Sequence, residues 1–379
     1  MHCDHCGRET PPGHHCAYCG ADLTAQTHHD PRDRRHVYAA NPHEHVYHPG
    51  IVSTFFPHLS PPRTHQVRWL LLGGTIVIFL LALARFVPVA IVLAALFVPI
   101  LYLIYFYDVQ IYENEPLRIL AGSFVLGGAL GAGLSLVSYR STVGLSLPGF
   151  GPSPQAILQV GVWLPLLGQV LMLVGPVLLF LTRRRFDHVL DGLAFGVASG
   201  LGFAAAQSIV YSWLLIVGPF QQQGAGTSWA LPAIRTTILV PLVDAATTGL
   251  VCAALWLRRD PQPPRRALGW LASLPVALLV AALGQVVPNL GSTLWGGQIV
   301  DLLWYGGTLL VLLLIVRHVL HVGLVEKARA LGHEATLTCP HCGHEVPDVP
   351  FCPHCGLAMH ATPKRGRRAA ATSAGKEQG

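Results

Sequence analysis

Long apolar runs, separated by short polar segments, occupy the chain between residues 69 and 319. A helix needs about 20 apolar residues to cross the hydrocarbon core of a bilayer, and the runs reach this length repeatedly. They predict helices over residues 69–86, 87–107, 117–137, 156–181, 189–217, 231–257, 269–289 and 301–316. We therefore predict an all-α polytopic membrane helical bundle of about eight transmembrane helices.

The composition agrees with this fold class. The chain is 52% hydrophobic and only 12% charged, and its mean hydropathy is +0.48, whereas about 25% of the residues of a soluble domain are charged. The lipid bilayer is therefore the first expected partner.

Basic residues predict the orientation in the membrane. Loops 218–230 and 290–300 contain no Lys or Arg, whereas the ends of the fourth, sixth and eighth predicted helices are basic, at Arg183, Arg184, Arg185, Arg258, Arg259, Arg265, Arg266, Arg317 and Lys327. Because Lys and Arg are retained on the cytoplasmic side, we expect a multi-pass protein of the cell membrane with both termini in the cytoplasm. These flanking residues explain the net charge of +6, so we expect no nucleic-acid partner.

Cysteines are concentrated at the two ends of the chain. Eight of the nine form four CxxC pairs, and nine residues separate the two pairs at each end: Cys3, Cys6, Cys16 and Cys19, then Cys339, Cys342, Cys352 and Cys355. Two such turns complete a tetrahedral four-cysteine site, so each end predicts a minimal zinc ribbon with one structural Zn²⁺. Metal binding rather than disulfide formation indicates a reducing compartment. We expect the ribbons either to bind a cytoplasmic partner protein or to pair with each other.

These features predict six segments. They are a zinc ribbon at 1–22, a His/Pro-rich cytoplasmic linker at 23–66, the transmembrane bundle at 67–322, a linker at 323–337, a second zinc ribbon at 338–358 and a basic disordered tail at 359–379.

Four predicted helices carry one polar residue deep within an apolar run. These residues are Gln169, Gln207, Asp244 and Gln285. Counted from the nearest cytoplasmic marker residue, all four lie about 20–24 Å from that surface. Polar side chains in hydrocarbon face the bundle interior and one another, so we expect one polar layer. It is either a hydrogen-bonded plug that holds four helices together or a functional centre.

Residues 186–211 resemble the PrsW family of intramembrane metalloproteases. The similarity rests on Asp191-Gly192 and on Gly202-Phe203-Ala204, which precede Gln207. Glu115-Pro116 and the run Phe56-Pro57-His58-Leu59 are also similar to the family, so that the resemblance extends over residues 40–320. It implies a catalytic metal within the membrane, bound by a Glu-Glu-x-x-Lys motif, a further Glu and two His.

The expected catalytic positions hold other residues in this chain. The resemblance places the first motif on Gly168, Gln169 and Met172, the next Glu on Gln207, and the two His on Asp244 and Gln285. A hydrolytic zinc site needs about three strong ligands, an open position and a base, and Gln and Met are poor zinc ligands. We therefore expect no catalytic residues and no intramembrane catalytic metal.

Three functions follow as hypotheses. The favoured one is a catalytically degenerate relative that binds transmembrane segments of other proteins or acts as a membrane scaffold, with a stress-signalling role by analogy to the family. The alternative is an active protease with a rearranged metal site at Asp187, His188 and Asp191, where helix capping is the competing interpretation. The third is a transporter or channel, although no inverted repeat is visible in the sequence.

Overall fold

The computed structural model describes residues 2–3, 8–18, 20–21, 23, 61–84, 87–109, 117–142, 153–182, 186, 188–217, 230–259, 265–295, 297–330, 336–339, 341–347 and 349–359. Most of the predicted linker at 23–66 and the predicted tail after residue 359 lie outside these residues. The same is true of Glu115-Pro116, of the run at 56–59 and of the basic run at 183–185.

Helices dominate the described residues. They are α1 Pro61–Leu83, α2 Val87–Val109, α3 Leu117–Thr142, α4 Pro154–Leu158, α5 Leu164–Thr182, α6 Val189–Val217, α7 Ala230–Ile234, α8 Val240–Trp256, α9 Arg265–Leu268, α10 Leu274–Trp295 and α11 Gln298–Ala330. Two π-helical turns, π1 Gln159–Trp163 and π2 Arg235–Leu239, join α4 to α5 and α7 to α8, and a 3₁₀ turn, Gly269–Ala272, follows α9. Two short antiparallel strands, β1 Thr336–Thr338 and β2 Glu345–Pro347, belong to the C-terminal cysteine-rich segment.

Six helical segments are long and apolar enough to cross a membrane. They are Arg118–Ser138, Pro154–Thr182, Val189–Trp213, Arg235–Trp256, Leu274–Trp295 and Gln298–Leu324. Helices α1 and α2 contain shorter apolar stretches, Trp69–Leu81 and Val92–Tyr105. The predicted all-α membrane fold is thus confirmed, while the count of about eight spans stays a prediction.

The last helix is longer than its sequence pattern predicted. We expected it to end at Val316, but α11 continues to Ala330, so the segment predicted as a linker at 323–337 begins as helix. Residues 326–330 read Glu-Lys-Ala-Arg-Ala, which are all strong helix formers. The end of the apolar run predicts the end of the membrane span, whereas the helix itself continues through residues of high helix propensity.

The chain divides into two compact units. The membrane unit comprises Leu71–Tyr105 and Glu115–Val316, and the terminal unit comprises Met1–Leu70, Phe106–Asn114 and Arg317–Gly379. Within the membrane unit, α6 packs against α3 and α8, and α8 packs against α10. In both α6 and α8, 78% of the membrane-spanning window is buried, so these two helices form the centre of the unit.

Glycines allow α6 and α8 to approach at backbone distance. A Cβ atom added at Gly196 would lie 2.6 Å from the carbonyl oxygen of Thr248, and one added at Gly200 would lie 2.5 Å from that of Asp244. Small residues at this spacing let membrane helices make close van der Waals contact. Gly196 and Gly200 thus form the surface of α6 on which α8 packs.

We expect Gly196→Ala to destabilise the membrane unit by about 1–3 kcal/mol, because the added methyl group forces α6 and α8 apart. Gly122→Ala is the matched control, since a Cβ there meets nothing within 4 Å. Thermal unfolding of the detergent-purified protein measures both variants. Equal melting temperatures for the two would contradict the packing role.

Candidate functional site

Three of the four predicted polar residues meet inside the membrane unit. The side-chain amide of Gln285 on α10 donates to the Asp244 carboxylate on α8 at 2.8 Å and contacts Gln169 Oε1 on α5 at 3.4 Å. All three side chains are at least 95% buried. The polar cluster predicted from depth along the helices is thus present for these three residues.

Two threonines that the sequence analysis did not single out complete the cluster. Gln285 Nε2 lies 3.1 Å from Thr247 Oγ1, and Gln169 Nε2 lies 3.4 Å from Thr248 Oγ1. Both hydroxyl groups are fully buried. The signal in the sequence was their place on α8, three and four residues after Asp244, because residues at this spacing share one face of a helix.

Gln207 does not join the cluster. The backbone contact of Gly200 with Asp244 and the hydrogen bond from Ser208 Oγ to the Thr236 carbonyl (3.0 Å) show that α6 and α8 are antiparallel. The backbone of Gln207 is therefore about 10 Å beyond Gly200 along α6. Among the residues that the structure describes, no hydrogen bond connects its amide to the other three side chains.

Gln207 differs from its predicted position because its depth was counted from Asp191. Asp191 was taken to mark the membrane surface, but it is only 3% exposed. A Cβ atom on the adjacent Gly192 would lie 2.6 Å from the carbonyl oxygen of Cys252, well inside α8. Helix α6 thus begins beside Cys252, four residues before the end of α8 at Trp256, and the predicted common depth does not extend to the backbone of Gln207.

The donor and acceptor pattern of the cluster bears on metal binding. Gln285 directs N–H groups, not a lone pair, at the only carboxylate in the cluster. Met172, at the position expected for Lys, is 1% exposed, and its sulfur accepts from Thr248 Oγ1 at 3.5 Å. At Gly168, a Cβ atom would meet the ring of Phe203 at 3.5 Å. The described side chains at the expected metal position therefore supply one carboxylate, two carboxamides and a thioether.

A second polar group extends from this cluster along α10. Asn289 Nδ2 donates to the Gln285 carbonyl at 2.7 Å, and the Tyr305 hydroxyl on α11 donates to Asn289 Oδ1 at 2.8 Å. Arg235, in π2, donates to that hydroxyl at 3.3 Å and lies 3.8 Å from an Asp301 carboxylate oxygen. Sequence reasoning missed this group, although a lone Arg and a lone Asp at the same end of two apolar helices are the expected signal.

The proposed alternative site at the start of α6 contains a helix cap. The backbone N–H of His188 donates to Asp191 Oδ2 at 3.2 Å. His188 is the N-cap of α6 and Asp191 is its third helical residue, so this bond is the one that a capping box makes to the N-cap backbone N–H. Helix capping was the competing interpretation of these residues. Asp187 lies outside the described residues.

The C-terminal cysteines form a compact cluster. The four Sγ atoms of Cys339, Cys342, Cys352 and Cys355 lie within 4.8 Å of one another, and no other group of three or more metal-binding side chains was found in the described part of the chain. Hydrogen bonds among these thiols lower the pKa of Cys339 and raise the pKa of Cys352 and Cys355, so they act as one coupled group. Four thiolates at this spacing fit one structural Zn²⁺.

The N-terminal segment has two described cysteines, Cys3 and Cys16, and both are fully buried. Cys6 and Cys19 lie outside the described residues. Backbone hydrogen bonds connect this segment to the C-terminal cysteine-rich segment, at His15 and Ala17. The structure therefore pairs the two cysteine-rich segments, as one of the two expectations for the ends of the chain required.

Comparison with known proteins identifies two parts of the chain. No curated protein and no solved structure shows a significant match. Residues 335–359 match a zinc-ribbon domain, which confirms the C-terminal ribbon. Residues 115–320, more than half of the chain, match the PrsW family of intramembrane metalloproteases, a shorter range than the resemblance over 40–320 suggested. This multi-span helical chain therefore belongs to the PrsW family.

Proposed function

We propose that this protein is a catalytically degenerate PrsW relative that binds membrane-spanning segments of other proteins. The observation that carries the proposal is the hydrogen bond from the Gln285 amide to the Asp244 carboxylate. An amide that donates to the carboxylate occupies one of its lone pairs and supplies no strong ligand in return. A hydrolytic zinc site needs about three strong ligands and a base, and this cluster offers one carboxylate for both roles.

Gln207 supports the binding of a membrane segment. It lies on α6 one turn after Phe203, which packs against Leu134 and Met172, and one turn before Tyr211, whose hydroxyl bonds Ser138 at 2.8 Å. Gln207 is only partly buried, and no protein hydrogen bond is found for its amide in the described parts of the chain. Its amide can therefore both donate to and accept from a polar group of a bound helix.

The cysteine-rich ends complete the proposal. Each end holds one structural Zn²⁺, at Cys3, Cys6, Cys16 and Cys19 and at Cys339, Cys342, Cys352 and Cys355. Basic residues at the ends of three helices support a cytoplasmic position for both ends, where the outer surface of the paired segments is open to a partner protein. By analogy with the family, the role is in signalling across the membrane.

Metal content tests the degenerate site. We expect the purified wild-type protein to contain two zinc ions per chain by elemental analysis. The combined variant Gln169→Glu, Asp244→His and Gln285→His should contain three, because it places a carboxylate and two imidazoles where the structure brings three side chains together. The matched control is Gln207→Glu alone, which should leave the content at two. A third zinc ion in the wild type, with proteolysis of a membrane-anchored substrate, would instead favour the active protease.

The buried cluster should contribute measurably to stability. We expect Gln285→Leu to lower the free energy of unfolding by about 1–3 kcal/mol, because it leaves the Asp244 carboxylate without its amide donor. The matched control, Gln207→Leu, removes an amide that makes no hydrogen bond in the described structure and should have little effect. Thermal unfolding in detergent compares the two, and the reverse order of effects would refute the assignment.

Photocrosslinking tests the binding of membrane segments. With p-benzoylphenylalanine in place of Gln207, we expect cross-linked peptides that map to membrane-spanning segments of other proteins by mass spectrometry. The control position is Val170, which is 60% exposed on the outer face of α5 and should react mainly with lipid. The same peptide yield at both positions would show that Gln207 contacts no specific membrane segment.

A further inference from the structure

The two ends of the chain are copies of one motif in register. Each position in the first copy corresponds to the position 336 residues later, so that Cys3 corresponds to Cys339 and Cys16 to Cys352. Beyond the cysteines, the identical pairs are His5 and His341, Gly7 and Gly343, Glu9 and Glu345, Pro11 and Pro347, and Gly20 and Gly356. The match therefore extends to the turn residues and not only to the ligands.

The backbones of the two copies make the same hydrogen bonds. The N–H of Cys16 donates to Ala21 at 2.8 Å, and the N–H of Cys352 donates to Leu357 at 2.7 Å. The other equivalent pairs are Cys3 to Arg8 and Cys339 to His344, Gly20 to Cys16 and Gly356 to Cys352, and Leu23 to His14 and Met359 to Pro350. Gly20 and Gly356 also share a positive φ, at 73° and 70°. The described residues of the N-terminal segment thus repeat the backbone hydrogen bonds of the C-terminal zinc ribbon.

The contact between the copies is reciprocal. The N–H of His15 donates to the Pro353 carbonyl at 2.9 Å, and the N–H of Phe351 donates to the Ala17 carbonyl at 3.0 Å. His15 corresponds to Phe351, and Ala17 corresponds to Pro353, so exchanging the two copies reproduces the same pair of bonds. This is the arrangement of an isologous dimer interface, formed here by two segments of one chain.

The interface and the metal ligands occupy the same short segments. Cys16 lies between the two N-terminal pairing residues and Cys352 between the two C-terminal ones, and Ala17, Phe351 and both cysteines are fully buried. Other contacts are equally close: a Cβ atom on Gly13 would lie 2.5 Å from the Pro353 carbonyl oxygen. A change in the conformation of either cysteine turn must therefore disturb the pairing.

We infer that the two ends form one split double zinc ribbon in which the two zinc sites stabilise each other. The inference rests on the proposed pair of structural zinc sites and adds their coupling. A ribbon of about 20 residues is folded mainly by its metal, so metal bound at one end orders the segment that pairs with the other. The partner of each ribbon is the other end of the same chain, because their covalent connection raises the effective concentration above that of a second copy.

Chelator competition on the full-length protein in detergent tests the coupling. The wild type should release two zinc ions in one transition as chelator is added. Gly13→Val, which places a branched side chain against Pro353 without touching a cysteine, should release both ions at about tenfold lower chelator concentration. The control, His14→Val, changes an exposed neighbour and should behave like the wild type.

The outcomes separate this inference from the proposal on which it rests. A wild type that holds only one zinc ion refutes the second zinc site itself. Two ions that leave independently, or a Gly13→Val variant that keeps the wild-type release, refute the coupling while leaving both sites in place. A wild-type dimer that Gly13→Val converts to a monomer, observed by light scattering, refutes the pairing within one chain and assigns it to two copies.

Discussion

Hydrocarbon offers no water to polar groups, and this constraint governs the centre of the membrane unit. Asp244, Gln169 and Gln285 come from three different helices, and each must find its hydrogen-bond partners among the other side chains. The amide of Gln285 meets this need, because its two N–H groups reach a carboxylate, an amide oxygen and a threonine hydroxyl. These hydrogen bonds join α5, α8 and α10.

The position of this cluster depends on glycines that carry no chemistry. Gly200 allows the backbone of α6 to touch the backbone of α8 at Asp244 itself, and Gly196 does the same one turn away at Thr248. Any side chain at these positions displaces α8 and with it the carboxylate and both threonines. The packing motif and the polar cluster are therefore parts of one arrangement, in which small residues set the distance between helices and polar residues set their rotation.

Much of this structure follows from the sequence, and the exceptions have physical causes. Apolar length located α3, α6 and the continuous helical stretches from α4 to α5 and from α7 to α8 closely, because the bilayer thickness limits each span. The end of α11 was misplaced, since its helix continues into polar sequence. The depth of Gln207 was misjudged because Asp191 is buried. The contacts of Arg235 with Tyr305 and Asp301 could not be predicted, because they depend on how two helices pack against each other and no local sequence pattern gives that packing. The repeated cysteine spacing predicted a ribbon at each end, and the C-terminal one is confirmed. Only the structure shows the reciprocal bonds between the two cysteine-rich segments.

The joined ends also bear on how the chain enters the membrane. The N-terminal cysteine-rich segment is synthesised first, yet it has no pairing partner until the residues after the last helix leave the ribosome. The two ends can then meet only if the number of crossings between them is even. A chain with one helix left out of the bilayer would hold its ends on opposite faces, with one buried edge of each ribbon open to solvent. Pairing of the two ends thus distinguishes a chain whose helices have all inserted into the membrane from one in which a helix has not.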